Sequence, residues 1–148
     1  MAIAKFETDY KTAMLDHDPQ RVAALRLIVN SLKNGAIAKG PGKELTEDDE
    51  ASILEKMIGA RQDSIEQYLK GKATERAALE QYEIDLIYTY LPPQLTEEEL
   101  KTAIAEAIAE NQATSKKQMG LVLKTLKQKH NHCYDGRRAS TILTALLP

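Results

Sequence analysis

Helix-start signals recur along this chain, and they constrain its fold more than any other feature of the sequence. Asp18 precedes Pro19, the order of an N-cap residue followed by proline at the first helical position. Thr96–Glu99 and Ser115–Gln118 both have the spacing of a capping box. Thr46 stands before a run of acids, which suits the positive end of a helix dipole. Each of these signals predicts a helix beginning directly after it.

Apolar residues recur at helical spacing throughout the chain. No segment alternates β-branched residues with the period of a strand, so the pattern predicts an all-α fold without a sheet. The chain has no Trp and one Phe, and its core is therefore expected to be aliphatic. Seven helices are expected, near residues 3–15, 19–38, 47–70, 73–90, 97–111, 116–130 and 137–147.

A double proline, Pro92-Pro93, interrupts the helical pattern. Neither nitrogen can donate a hydrogen bond, and the residue before a proline is pushed away from helical dihedral angles. We therefore expect a Pro-Pro hinge between two domains. Residues 1–92 would form an N-terminal helical domain of about four helices, and residues 93–148 a small C-terminal three-helix domain.

Charge is distributed unevenly between these two parts. The net charge is −2, but residues 1–92 hold 12 basic and 16 acidic residues, whereas residues 93–148 hold 8 basic and 6 acidic residues. Seven of the basic residues lie between positions 115 and 138, where Asp135 is the one acid. This basic segment is the candidate binding region of the chain.

Four lysines surround a glycine on the sixth predicted helix. Successive residues of a helix are about 100° apart, and the apolar residues of this helix occupy one side. The other side carries Lys116, Lys117, Gly120, Lys124 and Lys127. A glycine within a helix costs roughly 1 kcal/mol relative to alanine, yet it lets an anion approach the backbone. The pattern favours contact with the backbone charge of a nucleic acid, since this side has no aromatic residue for base stacking.

Two neighbouring features are expected to extend this candidate surface. The helix start at Ser115 would offer free N–H groups and the positive end of the helix dipole. Arg137 and Arg138 follow the next turn and would lie on the same surface. An alternative interpretation is that the lysines are simply solvated and that Gly120 lets a neighbouring helix pack closely.

Other motifs offer little chemistry. Two histidines at i and i+2, His130 and His132, diverge on a helix, so no metal site is expected. Cys133 is the single cysteine and has no positioned base, which excludes a disulfide within the chain and argues against a nucleophile. Arg61 and Asp63 are expected to form a network inside the bundle. The sequence therefore predicts no catalytic residue, no metal and no cofactor.

The apolar segments also bear on location. No run of roughly 18 apolar residues is present, so no membrane span and no membrane partner are expected. The first residues lack the apolar stretch of a signal peptide, which favours a cytoplasmic location.

Several short motifs, taken in order, match a known family. They are Arg21-x-x-x-Leu25-Arg26-Leu27, Leu32-Lys33-Asn34, Leu45-Thr46-x-x-Glu50, Arg61-x-Asp63-Ser64-Ile65, Tyr90-Leu91-Pro92-x-Gln94-Leu95, Ser115-Lys116-Lys117-x-Met119-Gly120-x-Val122 and Asp135-Gly136. With these motifs the chain resembles the GatB/YqeY family over essentially its whole length. These are small bacterial proteins whose C-terminal part is similar to the tail domain of the aspartyl/glutamyl-tRNA amidotransferase B subunit.

The resemblance implies an N-terminal helical domain followed by a three-helix domain that contacts tRNA. The residues that carry over are Ser115, Lys116, Lys117, Met119, Gly120 and Asp135-Gly136. The segment Asn131–Tyr134 departs from the family pattern, which has a small, glycine-containing approach to Asp135.

The function expected from charge pattern and resemblance together is that of a tRNA-binding or tRNA-associated accessory protein, non-catalytic by itself. Its expected partners are tRNA and components of the amidotransferase or of an aminoacyl-tRNA synthetase. Two alternatives stay open. One is a carbon–nitrogen ligase with glutamine as amido-N-donor, and the other is a protein-interaction module.

Overall fold

The structure is a computed structural model that describes residues 2–148. In this range the chain forms seven α-helices and no strand, which confirms the all-α prediction. The helices are α1 (Ala2–Leu15), α2 (Pro19–Lys39), α3 (Glu47–Lys70), α4 (Thr74–Tyr88), α5 (Glu97–Glu110), α6 (Met119–His130) and α7 (Gly136–Leu146). A 3-10 turn at Lys116–Gln118 directly precedes α6.

Helices α2, α3 and α5 begin directly after the residues that cap them. A carboxylate oxygen of Asp18 accepts a hydrogen bond from the backbone N–H of Arg21 at 3.1 Å. Two capping boxes close reciprocally, since each threonine hydroxyl and each acidic side chain accepts a bond from the other residue's backbone N–H. These boxes pair Thr46 with Asp49 and Thr96 with Glu99.

Two helix ends differ from the predicted ones by two or more residues, each for a local reason. Helix α4 ends at Tyr88 because the N–H groups of Thr89 and Tyr90 bond to carbonyls three residues back, which tightens the chain before the prolines. The sixth predicted helix starts as a 3-10 turn, in which the Gln118 N–H bonds to the Ser115 carbonyl.

The chain divides into two compact units between Leu91 and Pro92. In the first unit α1 packs along α2 and α3 packs along α4. A Cβ at Gly35 would collide with the side chain of Ile53, so this glycine lets α2 and α3 approach closely. The fully buried large side chains are Phe6, Leu25, Ile28, Leu32, Leu54 and Ile87.

The second unit packs α5, α6 and α7 around its own aliphatic core. Small alanines contribute many of the buried positions, which allows short helices to approach one another. The most buried large residues are Ile104, Val122, Leu126 and Leu143.

Hydrogen bonds to backbone carbonyls hold the connection between α6 and α7. The N–H of Leu95 donates to the Cys133 carbonyl at 2.7 Å, and the Gln94 side chain donates to the His132 carbonyl at 2.8 Å. His132 adopts a left-handed conformation with φ of 63°. A glycine would take this conformation without a Cβ penalty. The departure at Asn131–Tyr134 therefore places a histidine where the backbone favours glycine.

Candidate nucleic-acid interface

The predicted lysines and Gly120 lie together on the exposed side of the 3-10 turn and α6. We call this surface the lysine face, and its residues are Lys116, Lys117, Gly120, Lys124 and Lys127. All five are exposed, whereas Val122 and Leu126 on the other side of α6 are buried at 0% and 1% exposure. The apolar side of α6 therefore orients the lysine face away from the core of its own unit.

The 3-10 turn changes how the first two lysines are presented. A 3-10 helix has about three residues per turn, against about 3.6 for an α-helix. Lys116 and Lys117 are therefore rotated from the positions that one continuous α-helix would give them. Gly120, Lys124 and Lys127 belong to α6 itself and share one side of it at i, i+4 and i+7.

The four lysine side chains of this face make no ion pair or hydrogen bond with any described residue. Lys129 differs, because its ammonium group lies 2.5 Å from the Glu110 carboxylate. The hydrogen bond to Glu110 raises the pKa of Lys129 above its usual value. Lys129 thus ties α6 to the end of α5, whereas the lysine face keeps its charge available.

Gly120 has open space where a side chain would stand. A Cβ built on this residue meets no atom within 4 Å. Close packing of a neighbouring helix of this unit therefore does not require a glycine here. Within the second unit, the alternative interpretation that Gly120 lets a neighbouring helix pack closely is wrong.

The N–H groups at the start of the turn are occupied. The side-chain oxygen of Gln118 accepts from the N–H of Thr114 at 2.7 Å and from that of Ser115 at 3.3 Å. The N–H of Lys116 donates to the Pro148 carbonyl at 3.2 Å. The expectation of free N–H groups for an anion at Ser115 is therefore wrong at these three positions.

The two predicted arginines lie at the start of α7. The Arg138 guanidinium pairs with the Glu97 carboxylate, with Nε donating to Oε1 at 2.8 Å. This hydrogen bond raises the pKa of Arg138 and lowers the pKa of Glu97. Arg137 is exposed, and its backbone N–H donates to Asp135 as part of the α7 N-cap. Glu97 thus neutralises the charge of Arg138 within the unit. The unpaired charge of the surface comes from the four lysines.

Leu121 is a surface feature that sequence reasoning missed. This side chain is 54% exposed and follows Gly120 on the solvent side of α6. The sequence does indicate this exposure. Leu121 lies about 200° around the helix from Met119, which is opposite the core side. An apolar side chain next to the bare glycine backbone adds a nonpolar contact area to a cationic surface.

The other motifs have structural explanations. Arg61 donates from Nε to Glu83 at 2.7 Å and from Nη1 to the Met57 carbonyl at 3.1 Å, which links α3 to α4. Burial raises the pKa of Glu80, and the neighbouring Glu83 carboxylate adds to this effect. The thiol of Cys133 donates to the Asn131 carbonyl at 3.3 Å.

The described residues contain no group of three or more His, Cys, Asp or Glu that would hold a metal ion. Among the same residues, every helix is too short or too polar to cross a membrane.

Similarity to known proteins covers nearly the whole chain. Residues 3–147 match the family model described as "Yqey-like protein". The "Altered inheritance of mitochondria protein 41, mitochondrial" of Lachancea thermotolerans is 31% identical over 111 residues, which are 74% of this chain and 59% of that protein. The protein of the same name in Saccharomyces cerevisiae is 33% identical over 90 residues, covering 61% of this chain and 48% of that protein.

The protein of that name in Candida glabrata is 30% identical over 112 residues, covering 74% of this chain and 62% of that protein. The matches thus extend over about half to three fifths of these relatives.

These relatives correct two expectations from the sequence. The expectation of a bacterial protein is wrong, because these relatives are yeast proteins. The expectation of a cytoplasmic location is wrong, because they are named as mitochondrial.

The family match includes both compact units and the lysine face of the second unit. On this evidence the chain belongs to the YqeY-like protein family.

Proposed function

We propose that this protein is a tRNA-binding accessory protein, non-catalytic by itself, that acts in or near glutamine-dependent amidation of tRNA. The observation that carries the proposal is the lysine face, where four unpaired lysines surround a helical glycine with open space above it. Membership of the YqeY-like family supports tRNA as the nucleic acid, through the resemblance of the C-terminal unit to the amidotransferase tail domain.

The chemistry of the lysine face favours the sugar–phosphate backbone as the bound part. Lysine ammonium groups bind phosphates as point charges and carry no base specificity. From Lys116 to Lys127 the surface is about 16 Å long at 1.5 Å per residue, which is enough for several phosphates. No Tyr, Phe or Trp lies on this surface, so stacking of unpaired bases does not contribute.

Gly120 gives this surface a point of close approach. A phosphate or ribose can reach the helix backbone there, since no Cβ intervenes and no neighbouring atom fills the space. The lysines on either side then neutralise the charge of the bound group. Leu121, exposed beside the glycine, offers a nonpolar contact for the sugar.

Binding of tRNA to the purified chain at two salt concentrations tests the proposal. Reversal of charge at Lys116, Lys117 and Lys124, each to Glu, is expected to weaken binding at least tenfold. The slope of log K against log salt should fall by about 2 to 3, because about three phosphate contacts are lost. The matched control changes Lys43, Lys56 and Lys72 to Glu, which are exposed lysines of the first unit without ion pairs among the described residues. Equal tRNA affinity of the two triple variants would contradict the proposal.

The non-catalytic part of the proposal has its own test. A glutaminase assay on the purified chain is expected to show no hydrolysis of glutamine above the buffer rate. Hydrolysis that persists through purification would instead favour the alternative of a carbon–nitrogen ligase with glutamine as amido-N-donor.

The protein partners that follow from this function are components of the amidotransferase or of an aminoacyl-tRNA synthetase. Their association with this chain is expected to depend on tRNA. Co-purification that is undiminished after nuclease treatment would favour a protein-interaction module instead.

A further inference from the structure

A groove between α1 and α2 gathers charged and polar side chains that have no part in the lysine face. Its volume is about 480 Å³, within the range of roughly 300–1,000 Å³ for small-molecule sites. It is lined by Glu7, Tyr10, Lys11, Arg26, Val29, Asn30 and Lys33. All of these residues belong to the first unit, so the groove is complete within it.

Arg26 is held in position at this groove by Tyr10. The Tyr10 hydroxyl oxygen accepts hydrogen bonds from Nη2 of Arg26 at 3.0 Å and from Nε at 3.3 Å. The guanidinium carbon lies 5.8 Å from the centre of the tyrosine ring. The edge of the guanidinium that carries Nη1 keeps no partner among the described residues. A planar donor that is fixed on one edge and open on the other is organised in advance for an oxyanion.

The charges around the groove leave it positive. Lys33 and Glu7 form an ion pair at 2.9 Å and cancel each other. Lys11 is exposed and makes no hydrogen bond or ion pair with a described residue, so Lys11 and Arg26 together supply two uncompensated positive charges. The surrounding unit has the opposite balance, with 12 basic and 16 acidic residues. The groove is therefore a local positive site on an acidic unit.

We propose that the α1–α2 groove binds a small phosphate monoester. A phosphate monoester carries about −1.5 to −2 charges at pH 7, which matches the two uncompensated cations better than a single carboxylate does. Its oxygens lie against the open edge of Arg26 and the ammonium group of Lys11. The amide of Asn30, which bonds to no described residue, supplies a further donor. The organic part of the ligand packs on the Tyr10 ring and on Val29.

Nuclear magnetic resonance titration of the full chain with adenosine monophosphate tests this site. We expect saturable amide shifts in α1 and α2 around Tyr10 and Arg26. Inorganic phosphate should shift the same residues with lower affinity, since it has no organic part to pack. Adenosine, which lacks the phosphate, should produce no saturable shift below about 10 mM.

Substitutions separate the roles of the two central residues. Arg26→Gln removes the charge and is expected to weaken adenosine monophosphate binding at least tenfold. Tyr10→Phe keeps the ring but removes the oxygen that positions Arg26, so it should weaken binding a few-fold. Lys43→Gln removes one positive charge from an exposed loop of the same unit and should leave the affinity unchanged. Unchanged amide dispersion of each variant checks that the fold is intact.

The proposal is independent of tRNA binding, and the experiment distinguishes the two. The triple lysine-face variant should bind adenosine monophosphate as the parent does. Shifts confined to the lysine face, equal binding of adenosine, unchanged affinity of Arg26→Gln, or no saturable shift below about 10 mM would each overturn the α1–α2 site.

Discussion

At Gly120 the missing side chain has an energetic cost and no use in packing the second unit. A glycine in a helix interior is roughly 1 kcal/mol less favourable than alanine. Gly35 is different, because a Cβ there would collide with Ile53, whereas a Cβ at Gly120 meets nothing within 4 Å. A side chain at Gly35 would therefore displace the end of the Ile53 side chain, whereas alanine at Gly120 fits without any shift. This contrast makes Gly120 the residue at which stability and binding can be separated.

Gly120→Ala is expected to stabilise the protein by about 1 kcal/mol, since it removes the backbone entropy cost of a helical glycine. The same change should weaken tRNA binding several-fold, because the methyl group blocks close approach to the helix. Urea unfolding and a tRNA titration measure the two effects. Ala105→Gly, at an exposed position within α5, is the matched control and should destabilise by a similar amount without changing tRNA affinity. Tighter or equal tRNA binding by Gly120→Ala would remove the functional reason for the glycine.

At the scale of single elements, each helix end depends on a few hydrogen bonds. The start of α3 is an example, because Asp49 accepts bonds from the Thr46 N–H at 2.9 Å and from the Lys39 ammonium group at 2.5 Å. Lys39 also donates to the Glu44 carbonyl at 2.9 Å. These bonds close the loop between α2 and α3 onto the first turn of α3.

The hydrogen bonds of Asp49 make the stability of the first unit depend on pH. The hydrogen bond from Lys39, followed by those from Thr46, lowers the pKa of Asp49 to about 2 from its ordinary value of 3.8. The ionised carboxylate therefore stabilises the fold fully above its ordinary pKa, and this stability is lost as the pH falls toward 2. Carboxyl resonances followed by pH titration should show this midpoint. Lys39→Gln removes the largest cause, so it should move the midpoint up toward 3.8. An unchanged midpoint in that variant would contradict the assignment of Lys39 as the main partner.

At the scale of the whole molecule, two separate cores lie on either side of the proline pair. Tyr90 belongs to the first core, where its ring centre lies 3.9 Å from that of Phe6 and its hydroxyl donates to Asp9. Burial, together with the Asp9 carboxylate, raises the pKa of Tyr90. The chain just before Pro92 is thus anchored within its own unit.

We expect the two units to fold independently when the chain is cut between Leu91 and Pro92. Each unit has its own buried core, and 57 residues in the second unit, Pro92–Pro148, are near the lower limit for a domain without disulfides or metals. Circular dichroism should show helical spectra and cooperative thermal unfolding for both peptides. A C-terminal peptide without a cooperative transition would contradict the prediction of two domains.

Local sequence patterns were sufficient to predict much of the fold. Asp18 with Pro19, Thr96 with Glu99, and the proline pair mark helix ends within four residues of sequence, and the helices begin and end close to the expected positions. The core side of α6 followed in the same way from apolar spacing. Such signals can be read without a structure, because the groups that interact are neighbours along the chain.

The sequence by itself thus determined the all-α class, the helix starts and the grouping of four lysines around Gly120. Only the tertiary structure decided which cations of that region remain unpaired. Arg138 pairs with Glu97 across 41 residues, and Lys129 pairs with Glu110 across 19 residues. No local sequence pattern predicts either contact. Those pairs depend on how whole helices pack. The open space at Gly120 and the Tyr10–Arg26 groove likewise depend on how helices pack against one another.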